Sequence, residues 1–268
     1  MIKTVILIFI IAGVAVLIYM KKDNRFDKLT TSGEIKNSEM LAQEGVPTVS
    51  EEVAYFGEVR GLYVRPEAEG SYPGVVMIHE NRGLRPEIRA TAQQLAGQGY
   101  QVLAVNLLGG VVETQDEAKI LAANFNQETA VANMRAAATY LRNHGAIKIA
   151  SLGWCFGGKQ SIELAISSEK LDATVVYYGG GMATTTDRLQ PIKWPVLGIF
   201  GDKDQAIPVE TVRVFEASLN TLGIQNEIHI YPGVGHAFAN PSGMNYAAKE
   251  TKDAWAKTIA FLEKNLKE

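Results

Sequence analysis

Cysteine is almost missing from this chain of 268 residues. A single thiol, Cys155, excludes any internal disulfide, so the framework of a small cystine-stapled module is ruled out. Excess charge of one sign is missing too. Lys and Arg number 26 against 29 Asp and Glu, for a net charge of −3, and no basic cluster interrupts the globular part. That balance gives nucleic-acid binding no electrostatic footing. With four histidines there is no pair at metal-ligand spacing. His79-Glu80 runs on into Asn81-Arg82-Gly83 without the second histidine that a zinc-protease helix needs. Neither a metal nor an organic cofactor is therefore expected. Internal repeats and low-complexity tracts are absent as well, which sets aside solenoids and arrays.

What the chain does have is enough apolar residue for one large core. Hydrophobic residues make up 47% and charged residues 21%, and a domain of about 220 residues buries roughly 70% of its unfolded surface without staples. Long apolar runs are confined to the N-terminus. Residues 4–20 are almost uninterrupted in apolarity, with Lys3 before them and Lys21, Lys22 and Arg25 after. That length suits a short membrane span or a long signal-peptide core. Bulky Leu17, Ile18, Tyr19 and Met20 leave no small-residue cleavage site, so residues 1–22 are expected to be an uncleaved membrane anchor. The flanking cations favour a folded domain on the cytoplasmic side. Export, with or without cleavage to a periplasmic form, is the alternative, since a short positive start before an apolar run also begins exported chains. Residues 23–50 are polar and mixed in charge and read as a tether, leaving 51–268 as the folded domain.

Within that domain the apolar pattern alternates between strand and helix. Strands are expected at 58–64, 74–79, 101–107, 148–153, 173–178, 195–200 and 227–231, and helices at 88–97, 128–143, 160–167, 209–222 and 246–266. Continuous apolar runs such as Val75-Val76-Met77-Ile78 belong to strands buried on both faces. The expected fold is α/β, a mostly parallel, doubly wound sheet.

The chemistry concentrates at Gly153-Trp154-Cys155-Phe156-Gly157-Gly158. A lone cysteine is by default an inert core residue. This one, however, follows an apolar strand and precedes a helix, with glycines two before and two after it, which is the setting of a nucleophile elbow. In an open α/β sheet the other functional groups belong past the carboxyl ends of later strands. After the strand at 195–200 comes Gly201-Asp202-Lys203-Asp204, and after that at 227–231 comes Gly233-Val234-Gly235-His236-Ala237-Phe238. Nucleophile, acid and histidine thus follow in the order of an α/β-hydrolase triad. Either Asp202 or Asp204 fits the acid, and either also fits a turn or helix cap. His229 lies within a strand and His144 at a helix end, so both are expected to be structural or solvated. Elbow geometry assigns one oxyanion donor to the backbone N–H of Phe156, and the loop after the early strand should bring a second, from Asn81.

Taken together, these residues resemble the dienelactone hydrolase family of α/β-hydrolases, over about residues 56–266. The motifs that carry the resemblance are His79-Glu80-Asn81-Arg82-Gly83-Leu84, the elbow around Cys155, Gly201-x-x-Asp204-x-x-Ile207-Pro208 and Gly235-His236-x-Phe238. The resemblance implies that Cys155 attacks an acyl carbonyl, that His236 moves the proton and that Asp204 orients His236. It also implies that Glu80 is an auxiliary carboxylate that contacts the nucleophile and helps it ionise when substrate arrives, where the plain reading is a surface turn residue paired with Arg82. Prototype members grip a substrate carboxylate with two arginines. This chain has Leu108, Gly109 and Gly110 at one of those places and Asn240 at the other, with Arg82 or Arg85 as stand-ins. A fork-shaped guanidinium is not replaced by glycine or asparagine. The expected substrate is therefore a broader small-molecule ester, lactone or thioester, in a pocket lined by residues 108–114 and 178–184. The competing reading is a membrane-tethered binding protein on a hydrolase fold that no longer catalyses.

Overall fold

A computed structural model describes residues 45–268 apart from Asn124. The expected anchor at 1–22, and the tether up to residue 44, lie outside the described residues. Among the described residues no helix is long and apolar enough to cross a membrane.

Eight strands form one sheet: β1 (Thr48–Phe56), β2 (Val59–Pro66), β3 (Gly74–Ile78), β4 (Gln101–Val105), β5 (Ile149–Trp154), β6 (Ala173–Tyr177), β7 (Val196–Gly201) and β8 (Asn226–Tyr231). Their order across the sheet is β1-β2-β4-β3-β5-β6-β7-β8. β1 and β2 pair antiparallel, as do β2 and β4, and every later pair is parallel. β3 to β7 are buried along their whole length, as strands covered on both faces must be.

The covering helices are α1 (Pro86–Gly97), α2 (Gln115–Ala123), α3 (Gln127–Asn143), α4 (Phe156–Ile166), the single turn α5 (Thr186–Leu189), α6 (Val209–Thr221) and α7 (Ala248–Leu266). α3 packs on β3 and β4, α4 on β5 and β6, and α7 across β5 to β7. Their apolar positions explain the packing. In α3 the buried Ala130, Met134, Ala137, Ala138 and Leu141 recur at helical spacing.

The sequence misses β1, α2 and the single turn α5. Folded chain begins before residue 51: β1 starts at Thr48, and Val46 N–H already bonds to Gly97 O. β1 escapes the apolar pattern because it is an edge strand with mostly exposed side chains, held by backbone pairing to β2. α2 buries only Ala118, so it too has almost no apolar stripe to read.

Candidate active site

Parallel pairing puts the carboxyl ends of β3, β5, β7 and β8 along one edge, and each is followed within five residues by a group of interest. β5 ends at Trp154 and Cys155 turns the chain into α4 with φ 52° and ψ −113°. For a residue with a side chain that conformation is strained. Surrounding backbone enforces it. A Cβ on Gly157 would lie 2.2 Å from Ile78 O, and one on Gly153 would lie 2.1 Å from Gly157 O. The two glycines let β5, β3 and α4 approach closely enough to close the elbow.

The three groups placed by sequence at separate strand ends meet. His236 Nε2 lies 3.1 Å from Cys155 Sγ, and His236 Nδ1 lies 2.8 Å from Asp204 Oδ2. Asp204 is buried, and its Oδ1 accepts from the backbone N–H groups of Ala206 and Ile207 at 2.9 and 3.0 Å. One oxygen thus caps the turn and the other faces His236. Asp202 instead caps the N–H of Gly233 at 2.7 Å. Burial by itself would lower the pKa of His236. The hydrogen bonds from its ring to Asp204 and Cys155 outweigh burial and push it up to about 10. Ala237, with φ 59°, turns the chain sharply after the histidine, and Asn245 Nδ2 donates to His236 O.

Glu80 makes no hydrogen bond to Cys155 in this structure, and it is not paired with Arg82, whose guanidinium donates to Glu113 O. Asn240 Nδ2 donates to Glu80 Oε2, while Oε1 is buried with no partner. Burial, reinforced by nearby Glu87, raises the Glu80 pKa to about 7 against the opposing bond from Asn240. Sequence reasoning missed the residue that fixes this loop. His79 is fully buried, its burial lowers its pKa to about 4, and its Nε2 accepts from Leu107 N–H at 3.2 Å. The neutral ring therefore carries its proton on Nδ1, which donates to Glu80 O at 2.6 Å. Its position directly after β3, facing neither solvent nor metal, was the available signal.

For the oxyanion, the first helical bond of α4 runs from Lys159 N to Cys155 O. The Phe156 N–H thus has no partner within its helix. Asn81 lines the same mouth as Cys155 and His236, and its side chain is held by Gln115. That mouth has a volume of about 350 Å3 and is bounded by the loop after His236, notably Ala237, Asn240 and Met244. The segments expected there, 108–114 and 178–184, do not line it. Strand-end loops 80–85 and 112–113 are instead tied to each other, with Arg85 bonding Glu87, Glu113 and Val112 O. Arg85 is thereby spent on carboxylates of its own chain. Arg82 does face the mouth. His144 is exposed, with its Nδ1 2.8 Å from Tyr140 O, and His229 lies on β8. Among the described residues no group of acidic, histidine or cysteine side chains is arranged to hold a metal.

A parallel sheet with a cysteine elbow after its central strand, and an acid and histidine in hydrogen-bond sequence with it, defines an α/β-hydrolase. Residues 59–266 match the model of the dienelactone hydrolase family, and the chain belongs to that family. It is a hydrolase acting on ester or lactone bonds. A candidate carboxymethylenebutenolidase of Salmonella typhimurium is 28% identical over 221 residues, covering 76% of this chain and 82% of that one. Another, from Saccharolobus solfataricus, is 27% identical over 247 residues, covering 77% and 94%. Among solved structures, a candidate dienelactone hydrolase of Klebsiella pneumoniae superposes with a TM-score of 0.73 at 25% identity, covering 80% of this chain and 98% of that one.

Proposed function

We propose that this protein hydrolyses small neutral esters, lactones or thioesters through a Cys155–His236–Asp204 triad and an acyl-enzyme intermediate. The continuous hydrogen-bonded chain from Asp204 through His236 to Cys155 carries this reading. Cys155 Sγ faces the mouth 3.1 Å from His236 Nε2, so the histidine is placed to take the thiol proton and give the attacking thiolate. The thiolate adds to the acyl carbonyl, and the resulting oxyanion is held by the backbone N–H groups of Phe156 and Asn81. Collapse breaks the bond to the leaving oxygen or sulfur, which takes the proton from His236 Nε2. His236 then accepts a proton from water as that water attacks the thioester, and collapse of the second adduct releases the acid and restores the thiolate.

Neutral substrates are favoured because Asn240, at a place where family prototypes carry an arginine, spends its amide on Glu80. The test is a panel of short esters, lactones and thioesters with the full chain, wild type and Cys155→Ala, together with mass spectrometry of the quenched reaction. An acyl adduct on Cys155 and loss of turnover in the alanine variant are expected. Equal turnover by both proteins would exclude the cysteine mechanism, and binding without turnover would favour a non-catalytic role. We also propose that residues 1–22 tether the domain to a membrane with the domain on the cytoplasmic side. Membrane fractionation and protease accessibility in intact cells test this.

A further inference from the structure

The peptide unit that joins Glu80 to Asn81 is gripped at its oxygen by a fully buried ring. Glu80 O accepts from His79 Nδ1 at 2.6 Å and again from Gly83 N–H at 3.2 Å, which closes a turn over residues 80–83. The far end of that turn is pinned as well. Val112 N–H bonds to Arg82 O, and a Cβ on Gly83 would meet Gly110 O at 2.1 Å. The opposite end of the gripped peptide is the Asn81 N–H, which makes no hydrogen bond among the described residues. A trans peptide is planar, with its C=O and N–H pointing opposite ways, and the described residues hold no cis peptide bond. With the carbonyl turned onto a ring in the interior, the amide hydrogen turns away from it, at a residue that lines the mouth together with Cys155. The same ring touches the other side of the elbow. It stacks on Phe156 with centroids 6.0 Å apart and planes 17° from parallel, while Phe125 packs edge-on against Phe156 at 5.0 Å.

We infer that His79 is a positioning residue for the oxyanion hole, its Nδ1–H holding the Glu80–Asn81 peptide so that the Asn81 N–H meets the developing oxyanion beside that of Phe156. The inference rests on the hydrolase reading above and adds to it the group that orients one donor. Two effects act through the same bond. Fixing the carbonyl stops the peptide plane from rotating its N–H off the oxyanion, and a misplacement of about 1 Å costs on the order of 10²-fold in rate. Hydrogen bonding at the oxygen also polarises the peptide and strengthens its N–H as a donor. The ring's second bond, from Leu107 N–H to Nε2 at 3.2 Å, belongs to a different role, tying β3 to the chain after β4. A residue that only tied those segments would support stability without a selective effect on the chemical step.

Three variants of the full chain separate the two bonds, with ethyl butyrate as substrate, acid release followed by pH-stat and folding checked by urea denaturation. His79→Phe keeps a flat ring and removes both bonds, His79→Asn keeps a donor at the place of Nδ1, and His79→Gln puts its amide at the place of Nε2. His79→Phe should lose about 10²-fold in kcat with KM within about twofold, as expected for an interaction made in the transition state. His79→Asn should recover about tenfold of that loss and His79→Gln none of it. Should His79→Phe fold poorly, the contrast between Asn and Gln carries the test. Recovery by Gln and not by Asn, or a rise in KM with kcat unchanged, overturns the inference. A second readout needs no turnover. Butyraldehyde labelled with 13C at its carbonyl adds the Cys155 thiol, sulfur to carbon and proton to oxygen, and NMR titration follows the hemithioacetal. The adduct should be absent in Cys155→Ala and about tenfold weaker in His79→Phe than in wild type. If no ester is hydrolysed yet the adduct depends on His79 in this way, the inference stands and the hydrolase mechanism falls. If wild type gives neither product nor adduct, or His79→Phe matches it in both, the inference is overturned.

Discussion

The side-chain amide of Asn240 donates to Glu80 Oε2, joining the residue four places after His236 to the carboxylate that follows β3. The same Asn240 accepts from Ser242 N–H and Oγ through its Oδ1, so it fixes the loop that bounds the catalytic mouth. Replacing it by alanine leaves both oxygens of a buried carboxylate without a partner. Asn240→Ala should lose about 1–3 kcal/mol of stability by urea denaturation at neutral pH. Unchanged stability would show that the Glu80 contact contributes nothing net.

Glu80 also sets a pH dependence whose sign is fixed by its environment. Its folded pKa, about 7, lies above the ordinary 4.5, so between those values the folded state binds more protons than the unfolded one. Stability from this group therefore falls as pH rises from about 4.5 through 7. Glu80→Gln removes the titration. Denaturation series from pH 5 to 8 should show a shallower decline in the variant, and parallel curves would contradict the buried, proton-holding carboxylate.

Much of this site was legible because catalytic order and strand ends are sequence properties. Cys155 and Asp204 follow buried apolar strands and His236 follows the partly exposed edge strand β8, and parallel pairing brings such ends together whatever the intervening loops do. Choosing Asp204 over Asp202 was harder. Both follow β7 by a few residues, and only the turn that gives Asp204 Oδ1 to Ala206 and Ile207 aims its other oxygen at His236. The partners of Glu80 and His79 were not legible, since Asn240 is 160 residues away in sequence from Glu80 and Leu107 is 28 from His79. β1 and α2 were missed for a different reason: neither buries enough apolar surface to leave a periodic trace.

The Asp204 contact is expected to dominate the state of His236. The imidazolium contributes stability that is fully present below about 6.5 and is lost as pH rises through about 10, because its folded pKa is raised. Asp204→Asn keeps the shape but removes the charge and the correct acceptor pairing. Its His236 ring should titrate about one to three units lower by NMR, and turnover should drop by about 10²- to 10⁴-fold. A variant with unchanged titration and turnover would remove Asp204 from the triad.

Gly157 offers a packing test independent of chemistry. An added Cβ would sit 2.2 Å from Ile78 O and 2.5 Å from His79 O, both backbone atoms of the β3 end that cannot rotate away. Gly157→Ala should cost about 3 kcal/mol or more by thermal or urea unfolding, the upper range for overpacking. It should also disturb Glu80, because the displaced backbone carries that residue. A cost below about 1 kcal/mol would mean that the elbow has slack.

Strain at the nucleophile predicts a trade between stability and function. Cys155 holds φ 52° with a side chain attached, which costs about 1–3 kcal/mol, while its N–H is anchored to Tyr177 O at 3.0 Å so the turn cannot relax. Glycine relieves the strain but adds about 0.5–1 kcal/mol of unfolded-chain entropy. Alanine keeps the strain without the thiol. Both Cys155→Gly and Cys155→Ala should be inactive, yet the glycine variant should be the more stable by about 1 kcal/mol. Comparing the two removes the thiol's own contacts from the difference, so what remains is backbone conformation. If alanine proves more stable than glycine by about 0.5–1 kcal/mol, the entropy difference alone remains, the elbow is held without strain, and the exposure of Sγ to the mouth comes at no cost to the fold.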